Sequence, residues 1–315
     1  MLINKDAKIY IAGHTGLVGS AIVRTYRKAG YRNLLVKSHR ELDLMNQDDV
    51  EKFISREKPE YVIVAAAKVG GIKANMTYPF EFMYENLAIQ NNLILSALKH
   101  NVKKLLYISC GCAYPTQSKQ PIKEKYLLTG VPEPTNEGFA LAKIVGIKLC
   151  EKISTEYGKD FVSCIPANAY GVGDHFEEER SHVIPALIKR FHHAKINHIP
   201  SVTLWGTGKA QREFVYVDDL AEAIYLIMEK YSDSETINIG SGSDITIGEL
   251  ANLVKKTVGY TGKIVYDTTK PDGMSKRILD STKIKKLGFR CKISLDKGLA
   301  KTYEYFFQKK PFIHN

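Results

Sequence analysis

Short runs of apolar, often β-branched residues alternate along the first half of the chain with longer stretches whose apolar positions recur every three to four residues. Lys8–Ala12, Asn33–Val36, Tyr61–Ala65, Lys104–Ile108 and Phe161–Pro166 have the length and composition of strands in one sheet. Between them, Val18–Lys28, Gln47–Arg56, Asn86–His100 and Phe139–Tyr157 have helical length and period, and Gly30, Gly158 and the Pro59–Glu60 pair punctuate their ends. Strand and helix in alternation predict repeated βαβ units, hence an α/β fold with a doubly wound parallel sheet. Past residue 170 the order is less regular. A loop-rich stretch runs through Arg180, followed by a helix near His182–His193 and a strand before the Gly206-Thr207-Gly208 turn. Helices are predicted over Val217–Lys230, Ile247–Val258 and Leu295–Gln308. The pattern divides the chain into residues 1–170, with returning segments from about 205–240, and a smaller α/β part over 171–315 laid across the carboxyl end of the sheet.

Composition narrows the class. At 315 residues, 44% hydrophobic and 25% charged, the chain can bury a full core. No apolar run approaches the roughly 18 residues of a membrane span. Met1–Tyr10 carries charges where a signal peptide would be apolar, so the cytoplasm is the expected compartment and no membrane partner is expected. The net charge of +11 suits an anionic partner, but no basic stripe is interleaved with aromatics, so nucleic acid is not expected. Lys103/Lys104, Lys255/Lys256 and Lys285/Lys286 read as solvated surface. The five cysteines, Cys110, Cys112, Cys150, Cys164 and Cys291, are odd in number and lack CxxC spacing, which predicts free thiols and no metal site. Cys150 and Cys164 fall in apolar contexts and read as packing thiols. His192, His193 and His198 lack a cysteine or acidic complement and read as a solvated helix end.

Chemistry enters at Gly13-His14-Thr15-Gly16-Leu17-Val18-Gly19, a GxxGxxG between the first strand and first helix. Gly13 permits the tight turn, Gly16 lets main chain approach a pyrophosphate, Gly19 allows close helix packing, and the helix N-terminus favours the phosphate charge. The position of the triplet favours a Rossmann-type dinucleotide site over a glycine-rich turn. At the end of the second strand an acidic residue would select NAD; here Lys37-Ser38-His39-Arg40 stands instead. His39 and Arg40 suit a 2′-phosphate, and NADP is the expected cofactor, the competing reading being an exposed basic turn. Asp43 is expected to order the adenine-side loop.

Four segments carry a more specific likeness: Ala65-Ala66-Ala67-Lys68-Val69-Gly70-Gly71-Ile72, Glu133-Pro134-Thr135-Asn136-Glu137, Lys143 to Glu151, and Ser181-His182-Val183-Ile184-Pro185-Ala186-Leu187. With these the chain resembles the GDP-L-fucose synthase family, extended short-chain dehydrogenase/reductases, from about residue 8 to 310. The resemblance implies a GDP-linked 4-keto-deoxy sugar, hexose or heptose, as substrate. It implies inversion of centres beside the ketone, and C4 reduction by NADPH, in one pocket. It further implies Cys112 and His182 as the epimerisation pair, and a cofactor lined by Thr15, Leu17, Val18, Leu44, Ala66, Ser109, Pro166, Asn168 and His182. Asn168, Arg190, Trp205, Arg212 and Asp272 match positions that hold the substrate; taken alone, a sole tryptophan reads as core. The superfamily often dimerises through the helices represented by Asn86–His100 and Phe139–Tyr157, so a homodimer is expected.

In that family a Tyr-x-x-x-Lys pair performs the reduction from one helical face. The lysine is Lys143, but the tyrosine position is Phe139, which fills the space and has no proton to give. The serine that bonds the C4 oxygen aligns with Cys110, a weaker donor. Neighbouring Ser109 points to the opposite side of an extended strand. C4 reduction is therefore predicted to be impaired. Phe139 reads either as a deliberate replacement that traps a complex, the preferred reading here, or as the mark of a natural relative retaining epimerisation. An epimerase-only enzyme and a non-catalytic nucleotide-sugar or NADP-binding protein are the alternatives.

Overall fold

A computed structural model describes residues 3–177, 181–270 and 272–309; Arg180, in the predicted loop, lies outside them. In chain order the elements begin with β1 (Ile9–Ala12), α1 (Leu17–Lys28), β2 (Leu34–Leu35), α2 (Gln47–Glu57), β3 (Tyr61–Val64), α3 (Ile72–Thr77) and α4 (Pro79–Lys99). Next come β4 (Lys104–Ile108), α5 (Glu137–Tyr157), β5 (Asp160–Pro166), β6 (Asn168–Tyr170), α6 (Val183–Ile196), β7 (Ser201–Trp205), β8 (Gln211–Tyr216) and α7 (Val217–Lys230). The chain ends with β9 (Ile237–Ile239), β10 (Asp244–Thr246), α8 (Ile247–Val258), β11 (Lys263–Asp267), β12 (Lys276–Arg277), α9 (Thr282–Lys286) and α10 (Leu295–Lys309).

Six strands form a wholly parallel sheet in the order β2-β1-β3-β4-β5-β9. Its strands read as continuous apolar runs because both faces are covered. Along β1 the side chains alternate. Ile9 and Ile11 enter a core shared with α1 and α7, whereas Tyr10 and Ala12 enter a second core shared with α2, α4 and α5. β9 and α7 thus return to the sheet after the chain has left it. A third core joins α6, α8 and α10 around Phe191, Leu250 and Leu299. The order reverses between β1 and β3, and the carboxyl ends of these strands face a crevice, the usual position of a ligand in such sheets.

Three sequence expectations change. Lys104 is buried and not solvated surface: its Nζ donates to the Ile227 carbonyl at 3.2 Å and lies 3.3 Å from the Asp160 carboxylate. α4 begins at Pro79, nearly two turns before Asn86, with proline at its first position, where its missing N–H is no loss. Phe80, Met83 and Tyr84 are exposed, which hid the helical period. His192 is buried against α10, its Nδ1 3.0 Å from the Tyr303 hydroxyl, and so is not part of a solvated helix end.

Glu213, on β8, is fully buried. Its carboxylate accepts hydrogen bonds from the main-chain N–H of Gly242 (2.7 Å) and of Leu279 (2.9 Å), and burial pushes its pKa up.

Candidate functional site

The crevice begins with main chain. Gly13 has φ +83°, and a Cβ there would meet the Ala66 nitrogen at 2.6 Å; one on Gly19 would meet the Gly13 carbonyl oxygen at 2.1 Å. These contacts bring the first turn of α1 onto β1 and the end of β3, so neither position admits a side chain. Gly16 caps α1 with no side-chain partner for the first N–H groups, and Thr15 is exposed at the mouth. Unoccupied donors at a helix start beside a turn closed to side chains fit a pyrophosphate. At the far edge, Lys37 and Ser38 are engaged by Glu41, while His39 and Arg40 stay exposed. His39 lies 3.8 Å from Asp43, which also accepts a hydrogen bond from the Met45 N–H. Leu44 and Ala66 are half-buried along the same side and Pro166 is buried at the end of β5.

Side chains build the inner end. Lys143, on α5, is buried and donates to the Ile108 carbonyl at 3.0 Å; desolvation pushes its pKa down to about 8. One turn earlier on the same face, the Phe139 ring stands 5.7 Å from the Lys143 Nζ and edge-on to Phe82, its centroid 6.2 Å away. No hydroxyl occupies the tyrosine position. Ser109 is buried and turns toward the Lys143 carbonyl, away from the neighbouring turn.

That turn, Gly111–Ala113, carries the largest departure from expectation. Cys110 and Cys112 are joined as a disulfide, their Cα atoms 5.4 Å apart. The sequence reading expected free thiols. Spacing of one residue escapes the CxxC rule, but the tight turn at Gly111 brings both side chains to one side, within the Cα range a disulfide requires. Cys150, Cys164 and Cys291 are free; burial pushes the Cys164 thiol up to about 12.

His182 caps α6. It is surrounded by protein yet open to the crevice, and desolvation with His175 nearby pushes its pKa down, toward neutral imidazole. The Ser181 carbonyl lies 3.3 Å from the position of a Cβ on Gly71, so the Val69-Gly70-Gly71 loop and the His182 segment pack together. Asn168 donates to the Glu213 carbonyl at 2.9 Å, joining β6 to β8, where Arg212 immediately precedes Glu213. Arg212 donates to the Gln211 carbonyl and keeps the rest of its fork unengaged among the described residues. Asp272 accepts from the Thr207 N–H and hydroxyl, both at 2.7 Å, and so fixes the Gly206–Thr207 turn. Trp205, at 52% exposed, is not core, and Arg190 is exposed on α6.

The sequence reading missed Arg277. It sits on β12 in register with Arg212, and its Cδ lies 3.3 Å from the position of a Cβ on Gly111. A Lys-Arg pair between loops resembles any solvated charge, and only the strand pairing reveals where it lies. A cavity of about 860 Å³ between α8 and the segment 291–295 is lined by Cys291 but by none of the crevice residues above. The candidate residues lie in the crevice at the strand ends.

Among the described residues no helix is long and apolar enough to cross a membrane. Residues 9–240 match the NAD dependent epimerase/dehydratase family. The chain is 53% identical to GDP-L-fucose synthase 1 of Arabidopsis thaliana over 97% of its own length and 94% of that protein. It is 45% identical to GDP-L-fucose synthase of Escherichia coli K12, covering 96% and 97% of the two chains. Its structure matches a GDP-mannoheptose C4 reductase from Campylobacter jejuni, solved with NADP bound, with TM-score 0.88 and 38% identity over 97% and 99% of the chains. Glycine turn, buried lysine and near full-length likeness agree: this chain belongs to the GDP-L-fucose synthase family of NAD dependent epimerases/dehydratases.

Proposed function

We propose that the protein is an NADP-binding enzyme that epimerises a GDP-linked 4-keto-deoxy sugar and in which C4 reduction is impaired. The observation that carries this reading is Phe139, an aromatic ring on the face of α5 that carries Lys143, with no hydroxyl at its edge. The relatives named for fucose synthesis and heptose C4 reduction support a GDP-sugar, and the neighbour solved with NADP supports the cofactor.

NADP, when bound, supplies hydride chemistry at C4. The glycine turn and α1 N-terminus would hold its pyrophosphate, His39 and Arg40 its 2′-phosphate, and Lys143 its nicotinamide ribose. Asn168 and Arg212 would receive the sugar and diphosphate, with Arg190 and Trp205 open at the mouth; an arginine fork matches phosphate oxygens in pairs. With the ketone acidifying C3 and C5, Cys112 and His182 would exchange protons with opposite sides of the ring. Desolvation and the neighbouring His175 hold His182 toward its neutral form. Cys112 can take part only as a thiol or thiolate, so the pair with Cys110 must first be reduced by a dithiol. A reducing cytoplasm would supply that state.

Phe139 and Cys110 both alter groups aimed at the C4 oxygen. A homodimer through α4 and α5 is supported by exposed Phe80, Tyr84 and Leu95 on one and Val145 on the other.

The test uses reduced protein, GDP-4-keto-6-deoxymannose and NADPH in deuterated water. Deuterium is expected at C3 or C5 with little NADPH consumed, and Phe139→Tyr is expected to raise consumption about 10²-fold or more. Rapid NADPH consumption by the unchanged protein, not increased by Phe139→Tyr, would defeat the reading.

A further inference from the structure

Between α8 and the segment 291–295, the cavity of about 860 Å³ takes no part in the chemistry above. Its floor is apolar. Tyr170 and Phe214, from β6 and β8, are buried there and meet edge-on, their ring centroids 6.3 Å apart. Half-buried Ile245, Leu253 and Leu295 line the sides. Both walls are fixed by their own hydrogen bonds. Asp219, on α7, accepts from the main-chain N–H of Lys292 at 3.0 Å and of Ile293 at 2.9 Å, which holds the segment 291–295 in place. A capping box between Thr246 and Glu249 fixes the start of α8. The gap is therefore built into the fold, and its size falls in the range of roughly 300–1,000 Å³ typical of small-molecule sites.

Charge narrows the ligand. Ser241 and Cys291 also line a second hollow, of about 330 Å³, beside Lys285 and Arg290. The Lys285 Nζ reaches to 2.9 Å from the position of a Cβ on Gly242. Arg290 gives one nitrogen of its fork to the Lys285 and Phe289 carbonyls, at 3.0 and 2.7 Å, and the other has no partner among the described residues. Neither cation forms an ion pair with a described carboxylate, whereas neighbouring Lys283 and Lys292 pair with Glu235 and Glu222. The acidic residues of the larger cavity are engaged, Asp244 by Lys276 at 3.4 Å and Glu249 by the capping box. Where the hollows meet, burial with Asp219 and Glu213 nearby pushes the Cys291 thiol up to about 12, so it stays uncharged. An apolar floor is thus joined across neutral groups to a cationic end with spare donors, and an ammonium and a guanidinium together suit the oxygens of one acidic group.

We infer that the two hollows form a second ligand site, for a soluble small molecule with an apolar ring or chain and a terminal anionic group. The apolar part lies on Tyr170 and Phe214, and the anion reaches Lys285 and Arg290. Ser241, which lines both hollows, donates to buried Glu213 at 3.4 Å, so an occupant sits one hydrogen bond from an anchor of β8.

The experiment titrates the protein with anilinonaphthalenesulfonate, an aromatic body carrying one sulfonate, with and without saturating NADP and GDP to fill the crevice. Fluorescence is expected to report one saturable site that survives both nucleotides. Lys285→Gln and Arg290→Gln are each expected to raise the Kd about tenfold, and Leu253→Asp, on the apolar side, to raise it further. Lys286→Gln, an exposed lysine outside the lining, is expected to change it by less than about twofold. Denaturant unfolding checks that each variant is folded. A signal removed by NADP and GDP, or one that survives both Lys285→Gln and Arg290→Gln, overturns the site, as does equal weakening by Lys286→Gln, which would mean surface charge alone. Phosphatidylglycerol vesicles are expected neither to bind the protein nor to displace the dye; binding lost in Lys285→Gln and Arg290→Gln would make this a membrane surface instead. No turnover is measured, so failure here is separable from failure of the epimerase reading.

Discussion

Between Gly13 and Gly19 the crevice is shaped by main chain, whereas between Cys110 and Cys112 it is shaped by side chains. In the first region every critical feature is an absence: no Cβ at Gly13 or Gly19, no side chain capping α1. In the second, the features are a sulfur pair, a phenyl ring in place of a phenol, and an unpaired guanidinium. Main-chain geometry of this kind tolerates almost no substitution, while a side-chain constellation can change its chemistry and leave the fold intact. The main-chain end of this crevice therefore leaves little room for substitution, and the side-chain end leaves much.

The sharpest way to break that contrast is at Gly19. Gly19→Ala puts a methyl 2.1 Å from a carbonyl oxygen, so α1 must move. We expect at least about 3 kcal/mol of lost stability and loss of measurable NADP binding, checked by denaturant unfolding and fluorescence titration. A stable Gly19→Ala protein that binds NADP would show that the turn is less constrained than its geometry. Next in size is the sulfur pair. Without reductant, deuterium exchange at C3 or C5 should fall at least about 10²-fold and return with a dithiol, whereas Cys110→Ser should make exchange independent of reductant. Exchange by the oxidised protein at the full rate would remove Cys112 from the mechanism.

A third test concerns Lys143, at the inner end of the crevice. The Lys143 pKa is lowered to about 8 from the usual 10.5. Above 10.5 both folded and unfolded forms are neutral and the group is silent. As pH falls from 10.5 to 8, the unfolded chain binds the proton first and stability is lost; below 8 the loss, about 3 kcal/mol, is complete. Lys143→Met should thus stabilise the cofactor-free protein at pH 7 while weakening NADP binding, read from thermal unfolding with and without NADP. A destabilised Lys143→Met protein would mean that the hydrogen bond to Ile108 outweighs desolvation.

Much of the nucleotide half was legible because its signals are local. Lys104–Ile108 and the returning Val217–Lys230 have the predicted limits, since apolar period and flanking punctuation coincide there. The start of α4 was not legible, because outward-facing Phe80, Met83 and Tyr84 erase the polar face that marks a helix. At the reacting end, resemblance named Phe139, Lys143, Cys112 and His182, but residue spacing could not reveal the sulfur pair or Arg277. Both depend on approach in space: a turn of one residue in the first case, and strands 65 residues apart in sequence in the second.

Glu213 and Arg212 are consecutive, and their side chains leave β8 on opposite sides. One is the crevice's open cation; the other is an interior anchor that fastens Gly242 and Leu279 to the same strand. Any shift of that anchor is transmitted directly to the arginine, and through the pairing of β8 with β12 to its neighbour. The aim of both guanidinium groups is thus set from behind, by a carboxylate shut inside the protein.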